Sequence, residues 1–294
     1  MPVAGDASKP LPGVLRWTIG DLTVTALNDG YLQGSLDLVT GIAKEDAGAL
    51  QAAGFRANDP RITLNAFVVT GAGRAPVMID TGMGGFGGDT LGRVPAALAA
   101  AGVRAEEVES ILLTHLHPDH AGGLIDGDGV ARYPNAELVL HEAEAGHWLD
   151  DAALTRAPED AKSYFEAAQK ATSPYATRLR TVTGGEVAPG ITAVPLPGHT
   201  PGHTGYRIVS GSAALFMWAD IVHLPAIQFK RPEAGMTFDV DGDRARETRR
   251  RILDEVASER SLISGAHLEF PALGYVARDG GGYSFVPELW VAAH

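Results

Sequence analysis

The sequence predicts an α/β fold, on three observations. Short apolar runs that end in glycine-rich or polar turns recur along the 294 residues, segments with helical periodicity interleave with them, and the residues best suited to chemistry follow directly after the runs. Short bounded apolar runs are the pattern of buried strands, and loops at one end of a sheet are where an α/β scaffold holds its reactive groups. No linker-like stretch divides the chain, and no period of 20–50 residues repeats, so one domain spanning residues 1–294 is expected.

Predicted strands cover residues 62–69, 77–79, 111–113, 138–140, 191–194, 215–219 and 262–263. Pro95 suits the first turn of a short helix running toward Ala101, where its missing N–H costs nothing. Ala161, Tyr164, Phe165 and Ala168 recur at i, i+3, i+4 and i+7 and give one apolar helix face. Ala245, Thr248, Ile252 and Val256 do the same within residues 243–258, with Asp243 as the expected N-cap. Four polar residues close strands in this scheme: Asp80, His115, Asp220 and His267.

Composition narrows the classes. Hydrophobic residues make up 45% and charged residues 20%, enough for a well-buried core. The net charge of -12 repels polyanions, so no nucleic-acid partner is expected. There is no cysteine, which rules out disulfides and leaves any metal site to His, Asp and Glu. No run approaches the roughly 18–20 apolar residues of a membrane span, and residues 1–13 contain no signal-peptide core. The expectation is a cytoplasmic protein without a membrane partner, or a periplasmic one had a signal been removed.

The chemistry concentrates in His115-Leu116-His117-Pro118-Asp119-His120, four metal-ligand side chains in six residues. Imidazole nitrogen and carboxylate oxygen are good donors for zinc and similar divalent ions. Alternation in an extended segment lets His115 and His117 point the same way, and the turn past Pro118 lets Asp119 and His120 face a second position. Two ions use these four donors more naturally than one. Other strand ends supply the remainder: His199 within Gly198-His199-Thr200-Pro201-Gly202-His203, then Asp220 and His267. The expected arrangement is His115, His117 and His199 on one ion, Asp119, His120 and His267 on the other, and Asp220 shared.

Isolated histidines and aspartates are more often structural or solvated than ligands, and His141, His147 and His294 are read that way. His203 is expected to fix its loop, and Asp80 to orient a ligand imidazole. A competing motif, Gly82-Met83-Gly84-Gly85-Phe86-Gly87 with Glu106 and Glu107 about 20 residues on, fits the dinucleotide fingerprint in spacing. Its glycines do not open a helix directly, and it leaves the histidines unexplained.

Thr114 through Gly123, preceded by Asp80-Thr81-Gly82, resembles the metallo-β-lactamase superfamily. The resemblance implies a four-layer αββα sandwich with the metals between the upper edges of two sheets. The missing cysteine departs from the β-lactamase branches that use a thiolate ligand. From about Trp17 onward the chain resembles the methyl parathion hydrolase branch. The matching stretches are residues 20–30, Thr90-Leu91-Gly92-Arg93, 198–203, Asp220-Ile221-Val222-His223 with Gln228-Phe229, 266–271 and 282–287. That branch implies a dimeric, dinuclear enzyme acting on phosphotriesters, with related members opening lactones or cleaving aryl esters. The neighbouring acyl-homoserine lactonases carry a tyrosine three residues after the bridging aspartate, where this chain has His223. An iron-dependent oxidoreductase of the same fold is a more distant alternative.

A pair of divalent ions acidifies the water between them to give hydroxide near neutral pH. Asp119, Asp220 and His223 are then the expected catalytic residues, with His223 polarising the substrate or donating a proton. Zinc is the expected metal, while manganese, iron and cobalt accept the same donors. The resemblance places Phe86, Trp148, Phe165, Leu224 and Phe229 around the pocket mouth. An aromatic wall favours a small, uncharged, apolar ester, lactone or phosphotriester.

Overall fold

Alternation along the strands decides the layering. The computed structural model describes residues 11–71 and 73–290 and contains two seven-stranded sheets. Across the first sheet run Val14–Ile19, Leu22–Gln33, Arg61–Gly71, Val77–Ile79, Ser110–Leu112, Glu137–His141 and Leu179–Val182. Its first four strands pair antiparallel and the rest parallel. Across the second run Gly282–Pro287, Leu273–Asp279, Ile263–Ser264, Ala213–Met217, Thr204–Ser210, Ile191–Pro195 and Gly185–Ala188. Only Ala213–Met217 and Ile263–Ser264 pair parallel there. Val39–Thr40 and Gly235–Met236 form a small separate ribbon.

Successive side chains of a strand face opposite sides of the sheet. Phe67, Val69, Ile79, Leu112 and Val139 therefore enter the core shared with Ile191, Tyr206, Ile208 and Leu215 of the second sheet. Their neighbours Ala66, Val68, Met78, Ile111 and Leu138 enter a second core instead, against Val94 and Leu98 of helix Val94–Ala100 and Phe165 and Ala168 of helix Glu159–Thr172. In the second sheet, the Tyr206 hydroxyl crosses to donate to the Leu113 carbonyl at 2.7 Å. The next residue, Arg207, points the other way and pairs with Glu255 of helix Gly242–Glu259 at 3.2 Å. The layers are helix, sheet, sheet, helix, as the resemblance implied.

All seven predicted runs are strands, six of them with a shifted end and Val77–Ile79 with none. The run at 215–219 is Ala213–Met217, and Ala219–Ile221 forms a 3-10 turn, so Asp220 lies in that turn rather than directly after the strand. The helix expected from Asp243 begins at Gly242, and its N-cap is Asp241, whose side chain accepts from the Arg244 N–H at 3.0 Å. Periodicity locates the buried face of a helix but does not choose between two acids at its start.

Ile208 is fully buried between the sheets. Ile208→Ala is expected to lower the unfolding free energy by about 2–5 kcal/mol through lost burial and a residual cavity. Urea unfolding followed by circular dichroism measures this, and a loss under about 1 kcal/mol would show that the inter-sheet core collapses around the vacancy.

Candidate metal centre

Each ligand loop leaves its strand in a different way. Asp80 follows Val77–Ile79 with a left-handed backbone, φ 58°. Its carboxylate accepts from the Thr114 N–H at 2.8 Å and the Thr114 hydroxyl at 2.9 Å, pinning the start of the His115–His120 segment. His117 is the N-cap residue of the single turn Pro118–Ala121, which carries Asp119 and His120 around to another side. Gly198 opens the His199 loop at φ 135°, and a Cβ there would meet the Ala245 backbone nitrogen at 2.3 Å, so only glycine fits against that helix. Ala219, at φ 52°, swings Asp220 out of the second sheet.

These loops deliver the donors to one place. His115, His117 and His199 form one triad and Asp119, His120 and His267 a second, the ligand atoms of each lying within 4.8 Å of one another. His199 Nε2 is 3.2 Å from His115 Nε2 and 3.0 Å from His117 Nδ1. Between the triads lies Asp220, its Oδ2 3.0 Å from His267 Nε2, 3.3 Å from His120 Nε2 and His199 Nε2, and 3.7 Å from His115 Nε2. His120 Nε2 and Asp220 Oδ1 are buried and have no hydrogen-bond partner among the described residues. Stranding such groups costs about 1–3 kcal/mol each. Converging donors with orphaned lone pairs fit a pair of divalent cations.

The far nitrogens of the rings are anchored, which fixes their orientation. His120 Nδ1 donates to Asp80 at 2.8 Å, His199 Nδ1 to Asp239 at 2.8 Å and His267 Nδ1 to the Thr63 carbonyl at 2.9 Å. His115 Nδ1 pairs with the Thr114 hydroxyl at 3.0 Å. Burial pushes His115 and His117 well below the ordinary imidazole range, reinforced by His120 and His199 respectively, which leaves both rings neutral and able to ligate. Burial also opposes charge on His199, yet Asp220 and Asp239 push it up to about 9. The acids create a demand for positive charge at this point.

Residues 61–267 match the metallo-beta-lactamase superfamily. The chain belongs to that superfamily. Among solved structures it is similar to the hydrolase AbOPH of the beta-lactamase superfamily, at 32% identity and TM-score 0.91 over 97% of this chain and 100% of that one. It is also similar to AidC, a dizinc quorum-quenching lactonase in complex with a product, at 27% identity and TM-score 0.89 over 96% and 99%. An N-acyl homoserine lactonase of Bacillus cereus is 25% identical over 178 residues, 60% of this chain and 62% of that protein. YobT of Bacillus subtilis is 29% identical over 117 residues, 39% and 47%. The matches thus span about half to three-fifths of the length of these curated relatives.

In this superfamily member, the structure brings the seven donors named from the sequence together, while only one of the five residues named for the pocket mouth lines the cleft. Phe86 lines the cleft over the site. Leu224 and Phe229 instead pack in the interior, Leu224 with Ile227 and Met236, Phe229 against Trp218 and Phe285. Trp148 and Phe165 are buried against each other at 4.7 Å between ring centroids and line a neighbouring cavity, not the cleft. All four are bulky apolar residues that the core claims first. The cleft wall comes instead from Leu32, Leu38, Ile62, Met83, Tyr164 and Phe238.

The expected supporting roles fit the geometry. Asp80 holds His120, and His203 donates from Nδ1 to the Leu196 carbonyl while its Nε2 accepts the Asp220 N–H at 3.0 Å. His141 caps helix Glu142–Trp148, His147 packs on Trp148 and Phe165, and His294 lies outside the described residues. The sequence reading missed Asp239 and Glu144. Neither sits in a motif, and each acts on residues about 30 to 60 positions away in the chain.

Asp220→Ala is expected to bring bound divalent metal below two per chain in elemental analysis of the purified protein. Retention of two ions would remove the shared-ligand assignment.

Proposed function

We propose that this protein hydrolyses ester-type bonds (aryl ester, lactone or phosphotriester) in small, uncharged, apolar substrates, using two divalent ions held by the two triads and Asp220. The observation that carries this reading is the position of the donors at the base of an apolar cleft. The cleft has a volume of about 410 Å³ and presents His117, Asp119, Asp220, His223 and His267 beneath the apolar wall. No lysine or arginine lines it among the described residues. A phosphodiester or a glutathione thioester would bring buried anionic groups with no protein cation to meet them, which is costly.

When bound, the ions would supply Lewis acidity and lower the pKa of a coordinated water toward neutrality. The protein's own part is orientation. Asp220 lies between the triads and fixes their separation. His223 sits at the cleft with Nε2 3.1 Å from Asp220 Oδ2 and its ring stacked on His267, 4.9 Å between centroids. Burial pushes it down to about 4, so it meets substrate as a neutral imidazole that hydrogen-bonds a reacting oxygen. Zinc is proposed as the metal, supported by the dizinc centre named for AidC.

The AidC likeness supports a second reading, hydrolysis of N-acyl homoserine lactones, because that structure holds N-hexanoyl-homoserine as product. Leu32, Leu38 and Ile62 would then take the acyl chain.

A kinetic panel tests both readings. Aryl esters and lactones are expected to give higher kcat/KM than phosphodiesters and glutathione thioesters, and the reverse order would overturn the proposal. The homoserine-lactone reading requires that substrate to rank first. His223→Phe is expected to cut turnover about 100-fold or more while leaving metal content unchanged, the scale of a lost acid–base or hydrogen-bonding group. An unchanged rate would remove its role.

A further inference from the structure

Helix Glu142–Trp148 is where the two loops of the first triad meet. Glu144 on this helix is fully buried. Its Oε2 accepts the Leu116 N–H at 3.1 Å, and its Oε1 accepts the Gly202 N–H at 2.8 Å. Leu116 stands between ligands His115 and His117, and Gly202 follows ligand His199 by three residues. One carboxylate thus ties together both chain segments that supply this triad. The fit is close: a Cβ on Gly202 would meet the Glu144 backbone nitrogen at 2.7 Å. On the same helix Trp148 sets its ring edge-on to His117, 5.4 Å between centroids.

The second triad is anchored elsewhere. His120 is held by Asp80, its carbonyl accepts from Thr81, and His267 is held by the Thr63 carbonyl. Asp80 also reaches the first triad through Thr114, which pairs with His115 Nδ1, whereas Glu144 accepts from Leu116 and Gly202, beside ligands of the first triad.

We propose that Glu144 is a positioning residue for the His115–His117–His199 triad alone, and so controls the affinity of one ion relative to the other. The proposal rests on the dinuclear reading above. Glu144→Gln preserves size but turns one oxygen into an N–H donor facing a backbone N–H donor. One of the two loops is then released, and the imidazoles it carries lose their shared geometry.

The test is cobalt(II) titration of chelator-stripped protein, read by visible absorption and elemental analysis. Wild type is expected to take two cobalt ions per chain. In E144Q one ion binds as before and the other about 10–100-fold more weakly, the usual effect of losing a group that holds a ligand. Two backgrounds identify the weakened position. In His267→Ala, where the first triad is the intact one, E144Q weakens the remaining cobalt by that same factor. In His117→Ala, where the second triad is intact, E144Q changes nothing. Should E144Q not fold, Gly202→Ala keeps the carboxylate but pushes the His199 loop off the helix, and it gives the same selective loss. Equal weakening in both backgrounds, as a general loss of stability would cause, overturns the proposal. So does no weakening in either. Wild type that binds no cobalt overturns the dinuclear reading itself, whereas two ions in wild type with unselective loss in the variant overturns only the role of Glu144.

Discussion

Five imidazole nitrogens, from His115, His120, His199, His223 and His267, approach one oxygen of Asp220 within 3.0–3.7 Å. Imidazole rings do not gather like this for their own sake. Each has one N–H to give, and four of the five have already engaged the far nitrogen with Thr114, Asp80, Asp239 or the Thr63 carbonyl. What remains is a buried nest of lone pairs and carboxylate charge, stable only around cations. The surrounding fold has to hold that nest rigid.

The rigidity comes from using both sheets. Asp80 and the His115–His120 segment leave the first sheet; His199, Asp220 and His267 leave the second. Each triad therefore takes two donors from the first sheet and one from the second, so its internal geometry is set by the packed core between the sheets and by crossings such as Tyr206 to Leu113. Local ties refine it. The Asp220 N–H donates to His203, and the buried Arg249 guanidinium donates to the Ile221 carbonyl beside it at 2.7 Å. A 3-10 turn of three residues could not hold a shared ligand in place without such partners.

This division explains what was legible in the sequence. The strands at 77–79 and 138–140 could be read because strands buried on both faces appear as unbroken apolar runs. The long strand Leu22–Gln33 was recognised only as a family stretch, because Asn28, Asp29 and Gly30 interrupt its pattern. The ligands were legible because metal chemistry restricts residue type and packs donors densely. The pocket wall was not: Leu224, Phe229, Trp148 and Phe165 have the same side-chain character as Leu32 or Phe238, and only tertiary packing separates a core residue from a cleft residue. Glu144 and Asp239 were invisible for the opposite reason. Each is a single acid whose meaning lies in partners far along the chain.

The cleft wall and the metal supports meet at two places in the chain. Ile62 lines the cleft, and the carbonyl of Thr63 next to it holds the His267 ring. The second place is the pair Phe238 and Asp239. Phe238 lines the cleft and packs against His199 and His223, at 5.8 Å and 5.1 Å between centroids, while Asp239 next to it holds His199. A change of substrate that moves this segment also moves a ligand ring. Specificity and metal geometry are therefore coupled at both triads, through Asp239 on His199 and through Thr63 on His267.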